Sequence, residues 1–362
     1  MIKSNPKKIC IVVSSLGAGG AERSSALLSE LLFDLGYDVH IVSVIDRIDY
    51  PYKGELLNLG KLKSKDHSSL GRLKRLLVFK NYLKENNFDY VIDNRTRIGL
   101  FKEFVISKWV YNAKRTIYCI RSYKTEAYIN PNHFIGKVLY GSAFKIVAVS
   151  HAICDKLKGS YNFKNLEVIH NPVVENYESR KTEKSKTGSY ALFYGRLDDA
   201  VKNVSLLLEA YSQSRLPQTG IKLKILGNGK DKEMLQRKTD DLNLEPYVEF
   251  LGFKENPYDL VESAYFTVLT SRYEGFPRVL VESLALGVPV ISVDCKSGPD
   301  EIIINDQNGL LVENHNIEVL ANAMNRMLED KDLYLHCKSN ARASVEKFSK
   351  AEIGQQWKKL LE

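Results

Sequence analysis

Twelve short apolar runs, each followed by a stretch of helical character, constrain this chain more than any other feature. In the first half they fall at residues 9–14, 39–44, 90–93, 116–120, 145–150 and 167–169. In the second half they fall at 191–194, 222–226, 248–251, 266–269, 290–293 and 309–312. Several are apolar throughout rather than alternating, the mark of a strand covered on both faces. Strands that alternate with helices specify parallel sheets with right-handed crossovers. The segment 175–188 between the two sets is polar, charged and almost free of aliphatic residues, as linkers are. A length of 362 residues suits about two domains. The expected plan is an α/β domain over 1–172, a linker over 173–188, a second α/β domain over 189–350, and a final stretch, 351–362, that packs back on the first domain. Two doubly wound sheets facing one another would bring the C-terminal strand ends of both around one cleft, where such sheets bind ligands.

Charge is unevenly spread over this plan. Residues 1–170 carry a net +12 and residues 171–362 a net −4, of the overall +8. A basic first half suggests a polyanionic partner: nucleic acid, anionic lipid or a phosphorylated substrate. No run of about 18 apolar residues exists, so no membrane-spanning helix is expected. The first eight residues lead straight into a strand-like run without a signal-peptide h-region. Five cysteines, Cys10, Cys119, Cys154, Cys295 and Cys337, form no C-x-x-C pair. Reduced, mostly buried thiols in a cytoplasmic protein are expected.

The sharpest local signal runs from Ser271 to Pro289. A strand ends just before it, Pro277 suits a first helical position and Gly287 a helix stop, so 277–286 reads as a short helix. Its free N-terminal amides, with Arg278 nearby, make an anion site. Glu274 lies in the preceding loop and Glu282 within the helix. Eight residues of continuous helix span about 12 Å, whereas a glycosidase pair needs roughly 5–9.5 Å, which disfavours a hydrolase. Gly195-Arg196-Leu197 follows the first strand of the second half, and Lys202-Asn203 comes soon after. Two such cations neutralise a diphosphate without a metal. Gly227-Asn228-Gly229 follows the next strand, where small residues admit a nucleotide close to the backbone.

The order Gly195-Arg196-Leu197, Lys202-Asn203, Gly227-Asn228-Gly229, Phe250-Leu251-Gly252-Phe253, then Glu274 and Glu282 with seven residues between them, resembles glycosyltransferase family 4. So do Gly17-Ala18-Gly19-Gly20-Ala21-Glu22-Arg23, Val147-Ala148-Val149-Ser150 and His170-Asn171-Pro172. The resemblance runs over nearly the whole chain and is diffuse between residues 45 and 140. Within the family it is most like bacterial cell-surface polysaccharide and lipid-linked glycan assembly enzymes. It implies a GT-B fold, a retaining transfer from a nucleotide sugar, and no divalent metal or other cofactor. By the same resemblance Arg196 and Lys202 hold the donor diphosphate, with backbone amides around Gly275, Phe276, Pro277, Val279 and Leu280. Glu282 bonds the donor ribose, and Glu274 binds and orients the transferred sugar. Gly195, Gly227, Asn228 and Leu251 flank the nucleotide, and the loop of Gly17, Gly19 and Gly20 lets donor and acceptor approach the first domain. Glu274, Arg196 and Lys202 carry the catalytic roles.

Two departures stand out. Arg121, in Ile120-Arg121-Ser122-Tyr123, stands where many members carry a His, so no catalytic base is carried over. Lys202 lies six residues after Arg196, one more than in many members. In the first half Arg95 and Arg97 follow a strand end; with Arg121 they are expected to bind an acceptor phosphate, such as that of a lipid-linked or phosphorylated glycan. Residues 70–84 form a basic amphipathic helix, either covering a sheet or touching an anionic membrane surface. The reading is therefore transfer of a hexose or N-acetylhexosamine, from a UDP-sugar by preference, to a lipopolysaccharide, O-antigen or capsule acceptor. The place expected is the cytoplasm, peripheral on the inner membrane face. The alternatives are a nucleotide-sugar epimerase on a similar scaffold and a non-enzymatic nucleic-acid binder. The second lacks any recognised nucleic-acid motif.

Overall fold

The computed structural model describes residues 5–17, 19–66, 68–173 and 190–362, without the side chains of Ser64 and Lys65. Apart from Val173, the expected linker therefore lies outside the described residues. The chain divides into two compact units, Met1–Pro172 with Lys350–Glu362, and Val173–Ser349.

In the first unit the strands are β1 (Lys8–Val13), β2 (Asp38–Ser43), β3 (Glu55–Asn58), β4 (Tyr90–Asp93), β5 (Thr116–Ile120), β6 (Lys145–Ala148) and β7 (Leu166–Val168). They form one sheet in the order β3-β2-β1-β4-β5-β6-β7, and every pairing is parallel. In the second unit, β8 (Tyr190–Tyr194), β9 (Lys222–Leu226), β10 (Val248–Gly252), β11 (Phe266–Leu269), β12 (Val290–Val293) and β13 (Gly309–Val312) give the order β10-β9-β8-β11-β12-β13. This sheet is also wholly parallel. Central strands β5, β8, β11 and β12 are buried at every position, as their unbroken apolar runs require. Edge strand β3 was not among the expected runs; it is short and half exposed.

Strand order reverses between β1 and β4 in one sheet and between β8 and β11 in the other. At such a switch point the two crossovers leave to opposite faces and open a crevice at the C-terminal strand ends. The loops after β8 and β11, with Gly195, Arg196 and Glu274, lie at that edge of the second unit. The loops after β1 and β4, with Gly17–Gly20 and Arg95, lie at the matching edge of the first.

The last helix, Lys350–Leu361, belongs to the first unit. Ile353, Trp357 and Leu361 are buried in one cluster with Leu28, Leu31 and Leu32 of the helix Gly20–Asp34. Gly354 allows the close approach: a Cβ there would lie 3.5 Å from Leu31 Cδ1. Polar ties close both ends, Lys350 Nζ donating to Asp34 at 2.5 Å and Lys7 Nζ to the Leu361 carbonyl at 2.7 Å. Replacing Trp357 by Ala should therefore destabilise the first unit by about 3–5 kcal/mol, read from denaturant unfolding by circular dichroism. Trp357→Phe should lose less than half as much.

Candidate functional site

In the second unit three loops meet main chain to main chain. The Gly195 amide donates to the Leu226 carbonyl (2.9 Å), Leu197 to Asn228 (3.0 Å) and Gly227 to Gly252 (2.8 Å). A Cβ on Gly227, whose φ is +149°, would lie 1.9 Å from the Gly195 carbonyl oxygen, and one on Gly229 would lie 2.1 Å from that of Leu197. The glycines thus first serve backbone packing. That packing leaves Arg196 exposed at the end of β8 between buried Leu197 and half-buried Gly195. Leu251, at the end of β10, packs half-buried against the small cluster that holds Tyr194 and Leu226.

Lys202 ends a four-residue helix, Asp199–Lys202, and Asn203 turns the chain with a left-handed φ of 51°. The Lys202 ammonium lies 2.5 Å from Glu274 Oε1, and Ser271 Oγ donates to the same oxygen at 2.7 Å. Bonds to main-chain carbonyls zip these loops together: Arg272 N donates to Val201 at 2.8 Å, and the Thr270 hydroxyl to Lys202 at 3.0 Å. Arg272 Nη2 also donates to Asn203 Oδ1 at 2.7 Å. Lys202, six residues after Arg196, reaches Glu274 from the end of this short helix.

A third loop, after β12, braces the Glu274-Gly275-Phe276-Pro277 turn. Glu274 N donates to the Lys296 carbonyl at 3.1 Å, and Ser297 Oγ to that of Gly275 at 2.7 Å. Phe276 is buried, edge-on to Phe348 with centroids 5.0 Å apart. The following helix is Arg278–Ala285, with Pro277 as its cap rather than its first residue, and no side chain caps it. Val279 and buried Leu280 sit in its first turn. Tyr194 Oη donates to the Val279 carbonyl at 2.6 Å, and Ser283 shares bonds with Tyr194 and Thr267, which fixes the helix against β8 and β11. Glu282 is buried, with Arg278 Nη2 at 2.7 Å from its Oε1. Arg278 therefore balances Glu282. Each acidic group of the motif has a cationic partner one ligand could displace or share.

The first unit places its expected residues differently. Arg95 and Arg97 are buried, at 3% and 4% exposure. Arg95 Nη2 lies 2.7 Å from Asp93 Oδ2 and 3.3 Å from Glu103 Oε2. Arg97 donates to the carbonyls of Tyr128, Asp93, Arg95 and Cys119 and lies against the rings of Tyr118, Tyr128 and Tyr140. Of the three arginines expected to bind an acceptor phosphate together, two are thus corrected: Arg95 and Arg97 are paired with Asp93 and braced in the interior. Burial alone would push the Asp93 carboxyl up, but Arg95 and Arg97 outweigh it and hold the group below its usual range.

Arg121, at the end of β5, is half-buried. It donates to Asn171 Oδ1 at 2.7 Å and to Asn94 Oδ1 at 3.2 and 3.3 Å. It borders a cavity of about 10 Å³ with Ser24, Cys119, His170, Asn171 and Trp357, roughly one water in size. Neutral amides orient this guanidinium, so no acidic partner among these bonds neutralises it. Gly19, with φ +154°, caps the helix Gly20–Asp34, and its amide donates to Tyr50 Oη at 3.3 Å; the Arg47 side chain lies over Gly17. Asn94, Asn171, Ser271 and Glu103 were not singled out from sequence as parts of these networks. Asn171 and Ser271 lay within quoted motifs, His170-Asn171-Pro172 and the stretch Ser271–Pro289, and Asn94 adjoined Arg95; Glu103 carried no such signal.

Buried charge and usable charge give opposite predictions. Arg95→Ala removes the cation that buried Asp93 and Glu103 share, leaving Asp93 only the longer 3.8 Å pair to Arg97, and should cost about 3–5 kcal/mol of stability. Arg121→Ala should cost under about 1 kcal/mol. Stability from the depressed Asp93 carboxyl is complete above its ordinary value of 3.8 and fades as pH falls below it. Urea titrations at pH 7 and pH 3 would check all three statements.

Residues 175–344 match the family described as glycosyl transferases group 1. Over 96% of this chain and 98% of the relative, the sequence is 31% identical to the N-acetylgalactosamine-N,N'-diacetylbacillosaminyl-diphospho-undecaprenol 4-alpha-N-acetylgalactosaminyltransferase of Campylobacter jejuni subsp. jejuni serotype O:2. It is 35% identical to the lipopolysaccharide 1,6-galactosyltransferase of Escherichia coli (strain K12), over 45% of this chain and 46% of that protein. The structure is similar to that of Anabaena Alr3699/HepE in complex with UDP and glucose, with a TM-score of 0.78 at 22% identity, covering 98% of this chain and 99% of the other. That likeness shows the fold, which is GT-B.

Proposed function

The chain belongs to the glycosyl transferases of group 1, and from that premise we propose that it transfers a hexose or N-acetylhexosamine from a UDP-sugar to a lipid-linked or lipopolysaccharide-type glycan. We place it with family 4, retaining and independent of metal. The observation that carries the reading is the Lys202–Glu274 pair, which joins the loops after β8 and β11 at the switch point of the second sheet, with Arg196 exposed on the first of those loops. A diphosphate arriving there meets two cations and an uncapped helix start, which stabilise the charge that develops as the nucleotide departs. Lys202 then exchanges part of its contact with Glu274 for phosphate, and Glu274 is released toward the sugar hydroxyls. Glu282, held by Arg278, is the ribose partner. Gly227, Asn228 and Leu251 border the base. The departing phosphate accepts the acceptor's proton, which fits a chain with Arg121 where many members have a His.

Relatives named for undecaprenyl diphosphate-linked and lipopolysaccharide substrates support the acceptor class. The neighbour with UDP and glucose supports the donor class. Arg121 is the residue of the first unit best suited to an acceptor phosphate, since its bonded partners are neutral. The transferase relatives do not favour an epimerase.

Calorimetry of UDP and GDP binding in EDTA tests the donor site directly. UDP should bind without metal and more tightly than GDP. Arg196→Ala should weaken it roughly tenfold to a hundredfold, the loss of one or two charge-assisted hydrogen bonds. Glu274→Gln should lower kcat at least a hundredfold with donor affinity changed less than tenfold. No binding of either nucleotide to the folded protein would overturn the assignment.

A further inference from the structure

The helix Leu100–Val105, which follows β4, is turned inside out. Its Glu103 is buried against Arg95, while Leu100, Phe101 and Phe104 face outward at 48%, 82% and 50% exposure. The chain continues as a π-helical turn, Ile106–Val110, carrying Trp109 at 47%. The helix His133–Tyr140 adds Phe134 at 72% and Val138 at 40%. Leu100, Phe101, Phe104, Phe134, Ile135 and Val138 line an open cup of about 480 Å³. Nothing in the fold requires rings to face water here, since the buried Arg95 cluster would be equally satisfied beneath a polar helix. Contiguous apolar surface of this kind marks an interaction site.

Basic side chains border it. On the helices Leu100–Val105, Ile106–Val110 and His133–Tyr140, Lys102, Lys108 and Lys137 are exposed, and their one acidic side chain, Glu103, is buried. The neighbouring helix Ser69–Asn86 continues both features. The Lys80 ammonium lies 3.5 Å from the Trp109 ring centroid, Leu70, Leu73 and Leu77 are exposed, and so are Arg72 and Lys74. Only Gly71 and Phe79 of that helix are buried, so it does more than cover the sheet.

We propose that this face seats the protein on an anionic bilayer, with Phe101 and Phe134 entering the acyl boundary and the lysines meeting lipid phosphates. Apolar side chains ringed by cations match an anionic interface in both depth and sign. A second copy of the chain would set two basic rims against each other. A single lipid chain would be held in an enclosed groove, whereas this cup is open and its most exposed rings stand at its lip. The proposal deepens the lipid-linked acceptor reading and rests on it only for its purpose, since binding to vesicles needs neither donor nor acceptor.

The test is sedimentation with vesicles of phosphatidylcholine alone or with about 30% phosphatidylglycerol. Wild type should partition at least tenfold more strongly to the anionic vesicles, and 0.5 M NaCl should remove most of that preference. Phe101→Glu with Phe134→Glu should cut binding at least tenfold while circular dichroism and the thermal midpoint stay unchanged, both side chains being exposed. Lys102→Gln with Lys137→Gln should reduce the salt-sensitive part and leave folding intact. Absence of binding, equal binding to both vesicle types, or full binding by the double glutamate variant would overturn the proposal. So would concentration-dependent dimerisation abolished by that variant, which assigns the face to a second copy. Vesicle binding without UDP binding would leave this inference standing and remove the donor-site reading.

Discussion

A parallel strand cannot turn back on itself; it must leave the sheet at one edge and return to the other through a crossover. Both sheets here are parallel throughout, so every loop after a strand lies on the C-terminal edge. That constraint, more than any single contact, determines where chemistry can collect. In the second unit the loops after β8, β9, β11 and β12 bring together residues as far as 72 positions apart in sequence. Gly195 and Gly227 touch backbone to backbone, and Glu274 is held from one side by Lys202 and from the other by the Lys296 carbonyl. The Glu274 carboxylate is thus positioned by loops that are themselves fixed by main-chain bonds.

Charge at these edges falls into two kinds. Asp93, Arg95, Arg97 and Glu103 are desolvated and satisfied within the protein, so their mutual attraction offsets the cost of burial and leaves little to offer a ligand. Arg196 and Arg121 differ: one is exposed, and the other is oriented by amides that carry no charge. Sequence position after a strand end does not separate the two kinds, because all four arginines occupy it. Burial does, and burial depends on what the next helix turns inward. Glu103 decides the fate of Arg95 from eight residues away.

The alternation of apolar runs made twelve of the thirteen strands legible, because central strands covered on both faces must be continuously apolar. The exception, β3, is a half-exposed edge strand of four residues bounded by Glu55 and Asn58, and nothing in so short a run distinguishes it from a loop. The order of glycines, cations and glutamates on which the proposed donor site rests is a property of the sequence itself. The ion pairing among them was not legible there, since Lys202 and Glu274 are joined only by tertiary folding. Pro277 was placed one position too far into its helix, a boundary shift of the ordinary size. The outward face of Leu100–Val105 was invisible for a physical reason: apolar residues are assigned to the interior by default, and here the interior side is claimed by a carboxylate.

Arg121 ties these arguments together. A His at that position can hold or release a proton near neutral pH, whereas a guanidinium remains charged and can only attract or orient. Its partners Asn94 and Asn171 accept its protons without neutralising it, and Asn94 is anchored in turn by donating to Ser25 Oγ at 3.1 Å. Such an arrangement keeps a full positive charge, half out of water, at the C-terminal end of β5. Proton transfer is then handled elsewhere, and the departing phosphate of the donor is a base, titrating near neutral pH, that the proposed reaction itself supplies. The replacement of a titratable ring by a fixed cation is therefore consistent with a reaction in which this position recognises an anion and the leaving group carries the proton.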